Sequence, residues 1–153
     1  MHRILGHDTA ISTFEHALRS KRMHHAWIIS GPTGVGKCTL AREVASVLLD
    51  PEVGHDTIGQ DGARTSRAAR LLESASHPDL HIIDRTLAAS SNNPRLRERK
   101  QMNIPLDLLR ECVLGGRTSD GRIHEAAAYR TPSLAPAKVF IIGTEVGMVD
   151  RLR

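Results

Sequence analysis

Apolar side chains recur along the chain in two rhythms, and the alternation between them predicts an α/β order. Ile11, Phe14 and Leu18 fall at spacings of three and four, which puts them on one helical face, with Asp8 as the capping residue. Ala26-Trp27-Ile28-Ile29-Ser30 is a continuous apolar run ending at Gly31-Pro32, the pattern of a buried parallel strand entering a tight loop. Helical spacing returns at Leu40, Val44, Val47 and Leu48, with Ala41 and Ala45 beside this stripe for close approach to a sheet. Asp50-Pro51 ends that helix. Residues 52–65 are rich in Gly, Asp and Thr without period and read as a loop, followed by a helix around Arg67 to Ala75.

The second half repeats the scheme more sparsely. His77-Pro78-Asp79 interrupts the helix and Leu80-His81-Ile82-Ile83 forms a second short strand. Residues 85–101 are polar and basic, which predicts an exposed loop. From Pro105 a helix resumes, with Leu108, Leu109, Cys112 and Val113 on one face, and Gly115-Gly116 stops it. Residues 117–136 mix Gly, Ser, Arg and Pro around a short helix predicted at Ile123 to Tyr129, and Val139-Phe140-Ile141-Ile142 is a third buried strand.

Composition narrows the class without choosing a function. The 153 residues are 40% hydrophobic and only 3% aromatic, which suits one domain with an aliphatic core. A net charge of +4 arises from 21 basic residues interspersed with 17 acidic ones, so it selects neither DNA nor nucleotide as a partner. No apolar signal core follows the first residues and no run approaches the ~20 apolar residues of a membrane span, which predicts a cytoplasmic protein with no membrane contact. Cys38 and Cys112 lack the paired spacing of a zinc site and read as reduced thiols. His24 and His25 are adjacent, and in a strand would point to opposite sides, so no metal site is expected there. Arg95, Arg97, Arg99 and Lys100 form a basic cluster without an aromatic for base stacking, and read as a solvated loop. Asp79, Asp84 and Asp107 stand isolated along the chain, and no residue is assigned a catalytic role.

The candidate chemistry lies at Gly31-Pro32-Thr33-Gly34-Val35-Gly36-Lys37, a G-x-x-x-x-G-K phosphate-binding loop placed after an apolar run and before an amphipathic helix. Glycines let such a backbone curl so that successive N–H groups converge, the helix start adds partial positive charge, and Lys37 reaches the terminal phosphates. Together with Cys38 and Thr39 these residues are the expected ATP-binding set. Cys38 stands where a Ser or Thr hydroxyl ordinarily ligates Mg²⁺, and a soft thiol suits that hard ion poorly. Thr39 is rotated by about 100° from that position along the helix. The third strand ends Ile142-Gly143-Thr144-Glu145 with no Asp at its tip, so the carboxylate that would polarise water is also missing or displaced to Glu145. Two defects predict nucleotide binding without efficient hydrolysis.

Several segments resemble one family in the correct order. Ile4-Leu5-Gly6-His7, Met23-His24-His25-Ala26-Trp27 and the run Gly31 to Ala41 resemble the start of bacterial clamp-loader AAA+ subunits of DNA polymerase III. Ser76-His77-Pro78-Asp79-Leu80, Ile104-Pro105-Leu106-Asp107-Leu108-Leu109-Arg110 and Lys138-Val139-Phe140-Ile141-Ile142 are similar to further motifs of that family. The absent P-loop Thr and absent cysteine-rich zinc module favour the delta-prime type over the gamma/tau type. The resemblance implies a three-layer α/β P-loop NTPase (AAA+) fold with a parallel sheet and a largely static, ATP-binding role. The implied partners are the gamma/tau and delta subunits, with DNA contacted only indirectly.

That family fold has five parallel strands, the fourth lying between the first and third, and this sequence supplies three. Residues 1–153 are therefore expected to be the amino-terminal part of an AAA+ domain, incomplete at the carboxy terminus after the Walker B strand, without its lid and oligomerisation domains. The competing expectation is a free-standing P-loop ATPase or kinase, whose turnover would depend on Lys37.

Overall fold

A computed structural model describes residues 4–50, 52–98 and 102–143. The described residues of Met1–Leu80 and Ser133–Val139 form one compact unit, and those of His81–Pro132 and Phe140–Arg153 form a second.

The first unit is helical. Helix α1 spans Asp8–Arg19 and buries Phe14, Ala17 and Leu18. Its N-cap is His7, and Asp8, expected in that role, is the first helical residue, where its charge favours the helix dipole. Helix α2 spans Lys37–Leu49 and buries Leu40, Val44 and Val47 as the spacing predicts. These side chains join Phe14, Leu18, Ile58 and Ala63 in one core, where full burial of a Leu, Val or Phe contributes about 1.5–3 kcal/mol each. The expected loop at 52–65 contains helix α3, Asp61–Thr65, and α4 follows at Arg67–Glu73 with the Ser66 hydroxyl accepting from Ala69 N–H.

The reason is polar and lies on α2. Glu43 Oε2 accepts from Gly59 N–H (2.6 Å), the Ser46 hydroxyl donates to Ala63 O (3.3 Å), and Asp50 Oδ2 accepts from Ala68 N–H (3.3 Å). Glu43, Ser46 and the C-cap Asp50 are all buried and lie about one turn apart, so the last two turns of α2 and its end grip successive points of the segment 59–68. Burial raises the Glu43 carboxyl above its ordinary value, against the lowering effects of the Gly59 N–H and the Arg64 guanidinium. A raised carboxyl contributes stability that is fully present below its unfolded value and is lost as pH rises through the folded value. Glu43→Gln is expected to remove this pH-dependent segment while keeping the bond to Gly59; urea unfolding of both proteins between pH 4 and pH 8 checks it.

The expected buried strand at residues 26–30 is not one. No strand is assigned there, and Ile28 is 95% exposed. A strand requires a neighbour for its ladder, which local sequence cannot supply, and no described strand pairs with this segment. Trp27 instead lies against Phe14 of α1 at 4.6 Å between ring centroids, and Ile29 packs on the first core.

The two other expected strands form. Strands β1, Leu80–Ile83, and β4, Val139–Ile142, pair with each other. Val139 N–H donates to Asp79 O (2.9 Å) and Gly143 N–H to Ile83 O (3.1 Å), a constant offset that marks parallel pairing. Among the described residues the fold is thus α/β with a small parallel sheet of two strands, where three were expected.

In the second unit, residues 85–98 are ordered structure and not the exposed loop their polarity suggests. A 3₁₀ helix spans Arg85–Ser90, and helix α5 spans Pro94–Arg97. Ala88 and Leu96 are buried with Ile83, Leu108 and Val113 in a second core. Of the basic cluster, Arg99 and Lys100 lie outside the described residues. Helix α6, Leu106–Leu109, continues as a π-helical turn over Arg110–Leu114 and ends at Gly115. The short helix expected at 123–129 is instead an antiparallel pair, β2 at Gly116–Arg117 with β3 at Ile123–His124, followed by a 3₁₀ turn at Ala127–Tyr129. Among the described residues no helix is long and apolar enough to cross a membrane.

Candidate functional site

The glycine-rich loop leads directly into α2. Gly34 (φ 82°) and Gly36 (φ 91°) both occupy the left-handed region, which a residue with a Cβ enters only at a cost, and Gly36 is the N-cap of α2. Gly31, Pro32, Thr33, Gly34 and Val35 are exposed, while Gly36, Lys37, Cys38 and Thr39 are half-buried. The loop therefore curls at the surface. Lys37 folds back over it, and its Nζ donates to Gly31 O (2.9 Å) and Pro32 O (2.6 Å). The ammonium is thereby held above the loop's own backbone.

A pocket of about 140 Å³ opens beside this turn, lined by Ile4, Leu5, His7, Gly34, Val35, Gly36 and Thr39. Ligand pockets for whole drug-sized molecules run to roughly 300 Å³ or more, so this volume suits a phosphate group or part of a ring. Four of the nine expected site residues line it, and Thr39 does so where Cys38 does not. His7 was not among the expected residues. Its Nε2 lies 2.5 Å from Val35 O, and because a carbonyl only accepts, that nitrogen carries the proton. Sequence spacing gives no sign of this bond, which joins residues 28 positions apart.

Among the described residues no group of three His, Cys, Asp or Glu side chains is placed to hold a metal ion. Thr144 and Glu145, at the expected metal-side end of the third strand, lie outside the described residues. Cys112 packs against the second core, and burial, reinforced by the Glu111 charge, pushes its thiol up and away from reactivity.

The three aspartates that look isolated in sequence are all anchors. Asp79 is buried and accepts three backbone bonds, from Ser133 N–H to Oδ1 (2.6 Å) and from Leu134 and Ala135 N–H to Oδ2 (2.7 and 2.9 Å). Asp84 caps the first 3₁₀ helix through Thr86 and Leu87 N–H. Asp107 accepts from Ser119 N–H (2.9 Å), and the Ser119 side chain, with that N–H and Arg110 behind it, holds its carboxyl below its ordinary value.

Helices, a small parallel sheet and a curled glycine loop at a helix start define an α/β protein with a phosphate-loop-like turn. The chain belongs to the family described as DNA polymerase III, delta subunit, whose model matches residues 6–145. It is also 40% identical over 45 residues to a DNA polymerase III subunit gamma of Buchnera aphidicola subsp. Acyrthosiphon pisum, a match covering 29% of this chain and 12% of that protein. A second subunit gamma, from Buchnera aphidicola subsp. Schizaphis graminum, is 37% identical over 52 residues, covering 34% of this chain and 14% of its own length. The chain thus spans about an eighth of the length of these relatives.

Proposed function

We propose that this chain is a delta-prime-like subunit of a DNA polymerase III clamp loader, with a structural role and an ATP-binding loop at residues 31–39 that does not support efficient hydrolysis. The observation that carries the reading is the exposed turn with left-handed Gly34 and Gly36 opening α2, over which Lys37 is already poised. Family membership supports the clamp-loader setting. Its partners in this reading are gamma/tau and delta subunits, and DNA is met only through the assembly.

The residues present fit a phosphate group better than they fit Mg²⁺. Exchange of the Lys37 ammonium from Gly31 O and Pro32 O to phosphate oxygens replaces neutral acceptors by charged ones, which strengthens each bond. Cys38, half-buried at the first turn of α2, offers sulfur where Mg²⁺ requires oxygen.

Calorimetric titration of ATP into the 153-residue chain, with and without Mg²⁺, tests both parts. The expected result is binding that changes little with Mg²⁺, weakened at least tenfold by Lys37→Ala, roughly the loss of one charge-assisted contact. No ATP turnover is expected. Absence of binding by the wild-type protein overturns the nucleotide reading, and a turnover that Lys37→Ala abolishes favours a free-standing ATPase or kinase.

A further inference from the structure

His7 has a backbone that its position in a helix does not explain. Three described non-glycine residues have positive φ: His7 at 64°, Lys21 at 53° and Ala75 at 52°. Lys21 and Ala75 lie just past the ends of α1 and α4, where a left-handed residue commonly closes a helix. His7 lies at the start of α1, where the capping residue ordinarily takes an extended backbone and turns its side chain onto the helix. Its main-chain oxygen still accepts from Ile11 N–H (2.9 Å), but its side chain makes no cap bond. The ring instead reaches Val35 O at 2.5 Å and lies 3.7 Å from where a Cβ on Gly36 would stand.

Val35 is flanked by the two left-handed glycines, so the turn has little local stiffness of its own. A bond from His7, the N-cap of α1, to its central carbonyl supplies a restraint that glycine cannot. We infer that His7 is a positioning residue that fixes the turn Gly34-Val35-Gly36, and so holds the loop in the shape that receives a phosphate group; the second clause rests on the phosphate-binding reading above. The left-handed His7 backbone is the conformation that aims the ring at the loop while its carbonyl opens the helix. His7 is also a wall of the pocket beside Thr39, so the same ring limits what can enter.

Two variants separate this role from a general effect on folding. Asn tolerates the left-handed backbone but is too short to reach Val35, whereas Gln carries an Nε2–H donor at about the reach of the imidazole. Amide exchange at residues 34–36, measured by NMR without ligand, is expected to accelerate about fivefold in His7→Asn and to return towards wild type in His7→Gln. Calorimetry with inorganic pyrophosphate is expected to show the matching pattern, about fivefold weaker binding in His7→Asn and recovery in His7→Gln. Unchanged exchange in His7→Asn overturns the inference, whatever happens to binding. Accelerated exchange, together with a wild-type protein that ignores pyrophosphate, supports His7 as the determinant of the turn and sinks the phosphate-binding reading alone.

Discussion

Alanine at position 115 is expected to destabilise the protein by about 2–4 kcal/mol, the range of a backbone forced both into strain and into contact. Gly115 has a φ of 71°, and a Cβ built there meets Ala126 N at 2.6 Å, Ala126 Cα at 2.9 Å and His124 O at 2.9 Å. All three atoms are backbone and cannot swing aside as a side chain would. The position is where the helical segment ends, with Gly115 N–H donating to Arg110 O (3.0 Å), and where the β2–β3 pair begins. Gly116 provides the control, because it has a φ of 97° but nothing within 4 Å of its Cβ position. Gly116→Ala therefore carries only the left-handed penalty, about 1–2 kcal/mol. Urea unfolding of the two variants side by side isolates the contact, and equal losses would show that the close approach is not what requires glycine.

What could be read from the sequence divides along physical lines. Helices α1 and α2 were legible because an amphipathic period is a local property and both have a long apolar face, Phe14 to Leu18 and Leu40 to Val47. Strands β1 and β4 were legible as short β-branched runs. Residues 26–30 share that pattern and yet form no strand, since pairing is decided by a neighbour many residues distant and not by the run itself. Segments 52–65 and 85–98 look aperiodic for a different reason. They are organised by polar side chains, Glu43, Ser46 and Asp50 holding the first and Asp84, Ser91 and Asn93 the second, and polar anchoring leaves no hydrophobic rhythm to detect.

The candidate site shows the same division. The order of Gly31, Gly34, Gly36 and Lys37 announces a curled loop before a helix, and the loop does curl there. The bond from His7 was beyond reach because its 28-residue separation obeys no period. Thr39 belongs to the expected set, excluded only as a Mg²⁺ ligand by its rotation along the helix, and it borders the pocket because the opening lies towards His7 and Leu5.

Asp79→Ala is expected to be the most damaging change at a single polar side chain, costing about 2–4 kcal/mol. One fully buried carboxylate collects the N–H groups of Ser133, Leu134 and Ala135, and its removal leaves those donors to be satisfied some other way. The same carboxylate fastens the chain just ahead of Val139, whose N–H donates to the main-chain oxygen of Asp79, a bond that the alanine variant retains. Burial alone would raise this carboxyl; the bonds from Ser133, Ala135 and Leu134, with the nearby His77, outweigh burial and leave it below its ordinary value. A lowered carboxyl contributes stability that is fully present above the unfolded value, near pH 4, and is lost as pH falls through the folded value. Wild-type stability should therefore drop steeply on acidification below about pH 4, whereas Asp79→Asn, with one acceptor oxygen and no charge, should start lower and lose less over the same range. Denaturant unfolding at a series of pH values decides the matter: parallel curves for wild type and Asp79→Asn would mean that the three amides do not depend on a negative charge.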